Sequence, residues 1–151
     1  NPNADIFLAN HNPINIAEIA TSSEESLNSP EDLEDKNALA LSGIGNPESF
    51  VKGLEELGVN VVETANYPDH YNYKNEDIMD IAMEAQLNEA ELIITTDKDA
   101  VKFDKEIIND FKKMEIDLYS LGINLILEEN IDLSEKVLEF LKNKNKWGEK
   151  Y

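Results

Sequence analysis

The residues able to do chemistry lie in three polar loops, each of which follows a short apolar run. They are Ser42-Gly43-Ile44-Gly45-Asn46-Pro47, then Pro68-Asp69-His70, then Thr95-Thr96-Asp97-Lys98-Asp99. Near neutral pH an imidazole such as His70 takes or shares a proton, and a carboxylate beside it, here Asp69, fixes its tautomer and supports its cation. A plainer role is equally open from the residues, in which His70 bonds only its own loop. Gly43 and Gly45 make a tight strand-to-helix turn, and the outward amides of the helix start beyond Asn46 suit an anion. The Asp97-x-Asp99 pair has the spacing of a Mg²⁺-dependent phosphatase of the haloacid dehalogenase type. Such enzymes also need a later lysine and acidic cluster, for which Lys136 and Glu128-Glu129 are poor substitutes. Lys98 and Lys102, four apart, either face a phosphate or pair with Asp97, Asp99 or Asp104. No metal site is assigned.

Alternating periodicities supply the elements that hold these loops. Leu39 to Leu41 reads as a strand, after which Asn46 caps a helix and Pro47 takes its first position. Phe50, Leu54 and Leu57 share one face of that helix, and Gly58 ends it. Val59 to Val62 is a second strand, followed by a helix from about Glu76 with Asn75 as cap and Ile78, Ile81, Ala82 and Ala85 buried. Leu92 to Thr95 is a third strand, Ile107, Ile108, Phe111 and Met114 mark another helix, and Ile116 to Leu121 is a fourth strand. Asp132 with Glu135 forms a capping box before Leu133, Val137, Leu138 and Leu141. Strands separated by helices predict an α/β fold, three-layer αβα around a mainly parallel sheet. Ala4 to Leu8 and Ile14 to Ile19 read as short extended pieces of a connector, and Thr21 to Asp35, with Pro30 and six carboxylates, as a solvated loop. Residues 1–35 are therefore expected to be a connector and 36–151 the compact domain.

Composition narrows the function. The 151 residues include 32 acidic and 13 basic ones, a net charge of −19. Such a chain repels nucleic acid and anionic lipid alike, so direct nucleic-acid binding is set aside. Every basic residue is lysine, leaving no guanidinium to grip a phosphate by two parallel hydrogen bonds. There is no cysteine, hence no disulfide or thiolate site. No GxxxxGK[ST] run occurs, so phosphate cradling of that kind must come from elsewhere. Because the chain starts at Asn1 and has neither a membrane-length apolar run nor a signal pattern, it is expected to be a piece of a longer protein.

Taken together, Gly43-Ile44-Gly45-Asn46-Pro47-Glu48-Ser49-Phe50, the Pro68-Asp69-His70 loop and Thr95-Thr96-Asp97-Lys98-Asp99-Ala100-Val101-Lys102 resemble the C-terminal half of the tetraacyldisaccharide 4'-kinases, the lipid A kinases of Gram-negative bacteria. Order and spacing match, Asn10-His11-Asn12-Pro13 looks like the segment entering this half, and the resemblance runs from about Asn3 to Leu121. Asp97 stands where the family usually has glutamate. The resemblance implies the C-terminal lobe of a P-loop-type kinase that moves the γ-phosphoryl group of ATP, with Mg²⁺, onto the 4'-hydroxyl of a tetraacyldisaccharide 1-phosphate at the cytoplasmic face of the inner membrane. It implies that the P-loop, the metal-holding acids and the membrane contact belong to a missing N-terminal half, so this piece is expected to be inactive alone. It also implies that His70, supported by Asp69, joins an aspartate of that half in accepting the hydroxyl proton. Gly43, Gly45, Asn46, Thr96, Lys98 and Asp99 are then the positions expected to face the nucleotide.

Overall fold

The computed structural model describes residues 9–20, 27–127, 138 and 142. Contacts divide the chain into two units, His11–Asn124 and a second of Asn1–Asn10 with Leu125–Tyr151. The fold is that of the first. Five strands, β1 (Ala9–Ala20), β2 (Asn37–Ser42), β3 (Asn60–Asn66), β4 (Leu92–Thr96) and β5 (Asp117–Leu127), form one sheet in the order β1-β5-β4-β2-β3. β2 lies parallel to both β3 and β4, and β4 lies parallel to β5. The helices are α1 (Pro47–Glu56), α2 (Asn75–Leu87), the short α3 (Asp97–Ala100) and α4 (Lys105–Lys113).

Side chains alternate across the pleat, and both faces of the sheet are covered. Leu39, Leu41, Ile93 and Leu118 pack against Ile78 and Ile81 of α2 and Ile107 and Phe111 of α4. Ala38, Ala40, Ile94 and Tyr119 pack against Phe50 and Leu54 of α1. This is the expected three-layer α/β arrangement, and it explains why the central strands read as unbroken apolar runs.

Three helices hand the chain to the next strand in the same way. After α1, α2 and α4 the residue past the cap is left-handed: Gly58 (φ 81), Glu89 (φ 56) and Glu115 (φ 56). Behind each, an amide reaches back five residues, Val59 to Leu54, Ala90 to Ala85 and Ile116 to Phe111, which is the Schellman closure. Only the first carries the glycine that marks such an ending in a sequence.

β2 and β3 are not in simple step. Ala38 opposes Val61 but Leu39 opposes Glu63, so Val62 is an extra residue on β3.

The structure departs from expectation in four places. Ile14–Ile19 is extended, but as part of an outer strand of the sheet with Ile16 and Ala20 buried; an outer strand tolerates Pro13 because one side needs no amide donor. Within the expected solvated loop, Pro30–Leu33 makes a 3₁₀ turn that buries Pro30 and Leu33. The cap of α2 is Lys74 and not Asn75, because the Asp77 carboxylate accepts from the Lys74 amide at 2.8 Å. β3 and β5 run past their predicted ends. The capping box at Asp132 and Glu135 lies outside the described residues.

Candidate functional site

All three polar loops lie at the C-terminal ends of parallel strands, where open α/β sheets hold their sites. β2 runs into Gly43, β3 into Tyr67-Pro68-Asp69-His70, and β4 directly into α3. Since β2 lies between β3 and β4, the loop at Gly43 is flanked by the other two.

Their inner meeting point is the carboxylate of Asp99, which is 0% exposed. Oδ2 accepts from the Gly43 amide at 2.9 Å and from the Thr96 hydroxyl at 2.8 Å, while Oδ1 accepts from Lys102 Nζ at 2.6 Å. Thr96 caps α3 by accepting from the Asp99 amide at 3.2 Å. Burial pushes the Asp99 carboxyl up, but the Gly43 amide, Lys102 and Thr96 outweigh it and hold the group below the usual carboxylate range. Gly43 itself is tightly surrounded. A Cβ there would lie 3.0 Å from Asp99 Oδ1, 3.0 Å from the Tyr73 hydroxyl and 3.4 Å from the Pro68 carbonyl. The Tyr73 hydroxyl is buried and without a hydrogen-bond partner. Burial and then the Asp99 charge raise its ionisation far above the ordinary phenol, so it stays neutral. Lys102 Nζ also lies 5.7 Å from the Tyr73 ring centre.

The outer part of the site is the turn at Pro68, closed by the Tyr71 amide donating to the Pro68 carbonyl at 3.0 Å. His70 occupies its left-handed position (φ 62), a conformation that costs a non-glycine residue energy and gathers at functional positions. Its side chain is 79% exposed. Asp69 Oδ1 accepts from the His70 amide at 3.1 Å and from Lys98 Nζ at 2.5 Å, and Asp69 Oδ2 lies 3.7 Å from His70 Nε2. The Lys98 hydrogen bond, opposed by slight burial and helped by His70, holds the Asp69 carboxyl below its ordinary value. Tyr67, Tyr71 and Tyr73 stack behind the turn, with centroids 4.7 to 5.5 Å apart. Burial, with the charge of Asp77, pushes the Tyr67 phenol up to about 12, so it stays neutral, while the Tyr71 hydroxyl donates to the Asp77 carboxylate at 3.1 Å.

The sequence-nominated residues thus fall into two groups. Gly43, Thr96 and Asp99 meet inside, while Asp69, His70 and Lys98 meet outside. Gly45 joins neither, being exposed with nothing within 4 Å of a built Cβ. Asn46 accepts from the Ser49 amide at 3.2 Å and serves as the cap of α1. Asp97 and Asp99 do not share a face. Asp97 lies over Gly122, 2.8 Å from where a Cβ would stand, in space also taken by Asn15, and the Asp99 oxygens already hold three donors. Among the described residues no three His, Asp or Glu side chains gather as a metal would require. The phosphatase alternative is therefore not favoured. Asp99 stood among the carboxylates expected for Lys98 and Lys102, whereas nothing in the sequence marks Tyr73, Gly122 or the long-range partner of Lys98.

Comparison with known proteins places this geometry in a family. A sequence model described as tetraacyldisaccharide-1-P 4'-kinase matches residues 2–142. The chain is 32% identical over 146 residues to a tetraacyldisaccharide 4'-kinase of Halothermothrix orenii, covering 93% of this chain and 38% of that protein. It is 49% identical over 69 residues to the enzyme of the same name from Rickettsia bellii, covering 46% of this chain and 21% of the other. A solved structure described as the "apo" form of LpxK from Aquifex aeolicus in complex with ATP is similar at 23% identity and a TM-score of 0.46, over 91% of this chain and 35% of that one. The chain spans well under half the length of these relatives, and it belongs to the tetraacyldisaccharide-1-P 4'-kinase family.

Proposed function

We propose that this chain is the C-terminal lobe of a lipid A 4'-kinase, which transfers the γ-phosphoryl group of ATP to the 4'-hydroxyl of tetraacyldisaccharide 1-phosphate. The observation that carries this is an exposed imidazole on a strained turn, facing an ionised carboxylate, in a member of that family. Phosphoryl transfer rests mainly on positioning and charge stabilisation, and this lobe's share is the proton. His70 Nε2 lies toward Asp69, which leaves Nδ1 to meet the substrate. As the sugar 4'-oxygen attacks phosphorus, His70 Nδ1 accepts the hydroxyl proton and Asp69 stabilises the imidazolium. The 3.7 Å separation is longer than a hydrogen bond, as is common before substrate tightens a site.

ATP and Mg²⁺, held mainly by the part of the protein outside this chain, supply the transferred group and neutralise its charge. Of the positions proposed to face the nucleotide, Gly45 and Asn46 are exposed at the start of α1, while Gly43, Thr96 and Asp99 are buried behind them. Among the described residues no helix is long and apolar enough to cross a membrane. We assign contact with the cytoplasmic face of a Gram-negative inner membrane to the rest of the polypeptide.

The test is transfer of labelled phosphate from ATP to the disaccharide. The complete polypeptide is expected to be active and this chain alone inactive. His70→Ala in the complete polypeptide should lower kcat by a factor on the order of 10² or more. Near-normal turnover by that variant would remove His70 from the chemistry.

A further inference from the structure

We propose that Lys98 is a positioning residue, whose ammonium holds the Asp69 carboxylate so that its second oxygen faces the His70 imidazole. This rests on the proton-accepting role proposed for His70. The two residues come from different strand ends, 29 positions apart, and β2 lies between those strands. Lys98 therefore bridges the two loops on either side of Gly43. The space between those loops is tight, for a Cβ at position 43 would lie 3.0 Å from Asp99 Oδ1 and 3.4 Å from the Pro68 carbonyl.

The bridge has a firm end and a loose one. At its base, α3 is fixed by the Thr96 cap and by the three donors on buried Asp99. At its tip, the Pro68 turn carries an exposed imidazole in a strained conformation. Asp69 Oδ1 takes both Lys98 and the His70 amide, which leaves Oδ2 as the oxygen turned to the imidazole. Lys98 and Asp69 are each a little under half exposed, and an ion pair so placed contributes little to stability. Its effect is on orientation.

A double-mutant cycle in the complete polypeptide tests this, with kcat and KM measured for Lys98→Met, Asp69→Asn and the double variant. Lys98→Met and Asp69→Asn should each lower kcat about tenfold, the scale of a lost orienting partner, with KM for ATP unchanged. The double variant should be no slower than Asp69→Asn, and Lys98→Arg should recover most of the rate. A full further loss from Lys98→Met in the Asp69→Asn background, or a raised KM for ATP, would overturn the proposal and place Lys98 on the nucleotide. No effect of Lys98→Met would also overturn it. His70→Ala, assayed alongside, separates the two ideas: if it kills turnover while Lys98 and Asp69 act additively, only the Lys98 role falls. If His70→Ala keeps turnover, the proton-accepting role falls first.

Discussion

The Asp99 cluster and the Asp69–His70 turn use the same ingredients, a carboxylate, a lysine and backbone amides, and put them to opposite ends. Around Asp99 the carboxylate is sealed from water and holds three donors, and the crowding at Gly43 favours a glycine where the loops meet. At His70 the ring stands in solvent, the backbone is strained and the carboxylate is shared. Composition does not distinguish a sealed framework from an open, exposed turn here, whereas burial and spare hydrogen-bonding capacity do.

Substitutions can break that contrast. Asp99→Ala leaves Lys102 largely buried without its partner and should cost the complete polypeptide about 3–5 kcal/mol in chemical denaturation. A cost under about 1 kcal/mol would mean that the cluster frames nothing. Gly43→Ala should cost about 1–3 kcal/mol, as overpacking does, while Gly45→Ala, with open space around it, should stay within about 0.5 kcal/mol. Equal costs at the two glycines would contradict the crowding at Gly43.

Acidification acts on the same cluster. Because the folded Asp99 carboxyl is held below its unfolded value, its contribution to stability is present above about pH 4 and lost as pH falls through the folded value. Asp99→Asn should flatten that acid loss in a pH series of denaturation midpoints. Replacing His70 by glycine should do the reverse of the Asp99 change, raising stability by about 0.5–1 kcal/mol through relief of the left-handed strain while turnover collapses. The smallest effect is expected at Glu89→Gly, where the same relief in an exposed helix ending gives about 0.5 kcal/mol.

Much of the fold was legible because the central strands are buried on both faces and the helices bury regular stripes. Leu39–Leu41, Leu92–Thr95, the Pro47 start and the Gly58 ending all follow from local chemistry. Ile14–Ile19 read as extended, but its place in the sheet as part of β1 was not legible, since an outer strand with a polar, asparagine-rich start has no need of an apolar run. The endings after Leu87 and Lys113 were hidden because glutamates, not glycines, take the left-handed position. For the site, local reasoning found the three loops and had Asp99 among three candidate partners for Lys98 and Lys102, of which Lys102 takes it. It offered Lys98 only its neighbours in sequence. Its partner, Asp69, is set by strand order, which periodicity does not encode.

The extra residue Val62 on β3 takes up slack between the end of α1 and the strand that leads to the Pro68 turn. β2 and β3 start level, with Asn37 opposite Asn60, yet finish with Ser42 opposite Asn66, so the chain leading to His70 spends one more residue than its neighbour in reaching the rim. Deleting Val62 would leave Leu39 opposite Glu63 and Ser42 opposite Asn66 in simple pairing, so the Pro68 turn would keep its place at the rim. The irregularity is thus absorbed on the side of β3 that follows α1, and the lysine and the carboxylate should meet whether or not it is present.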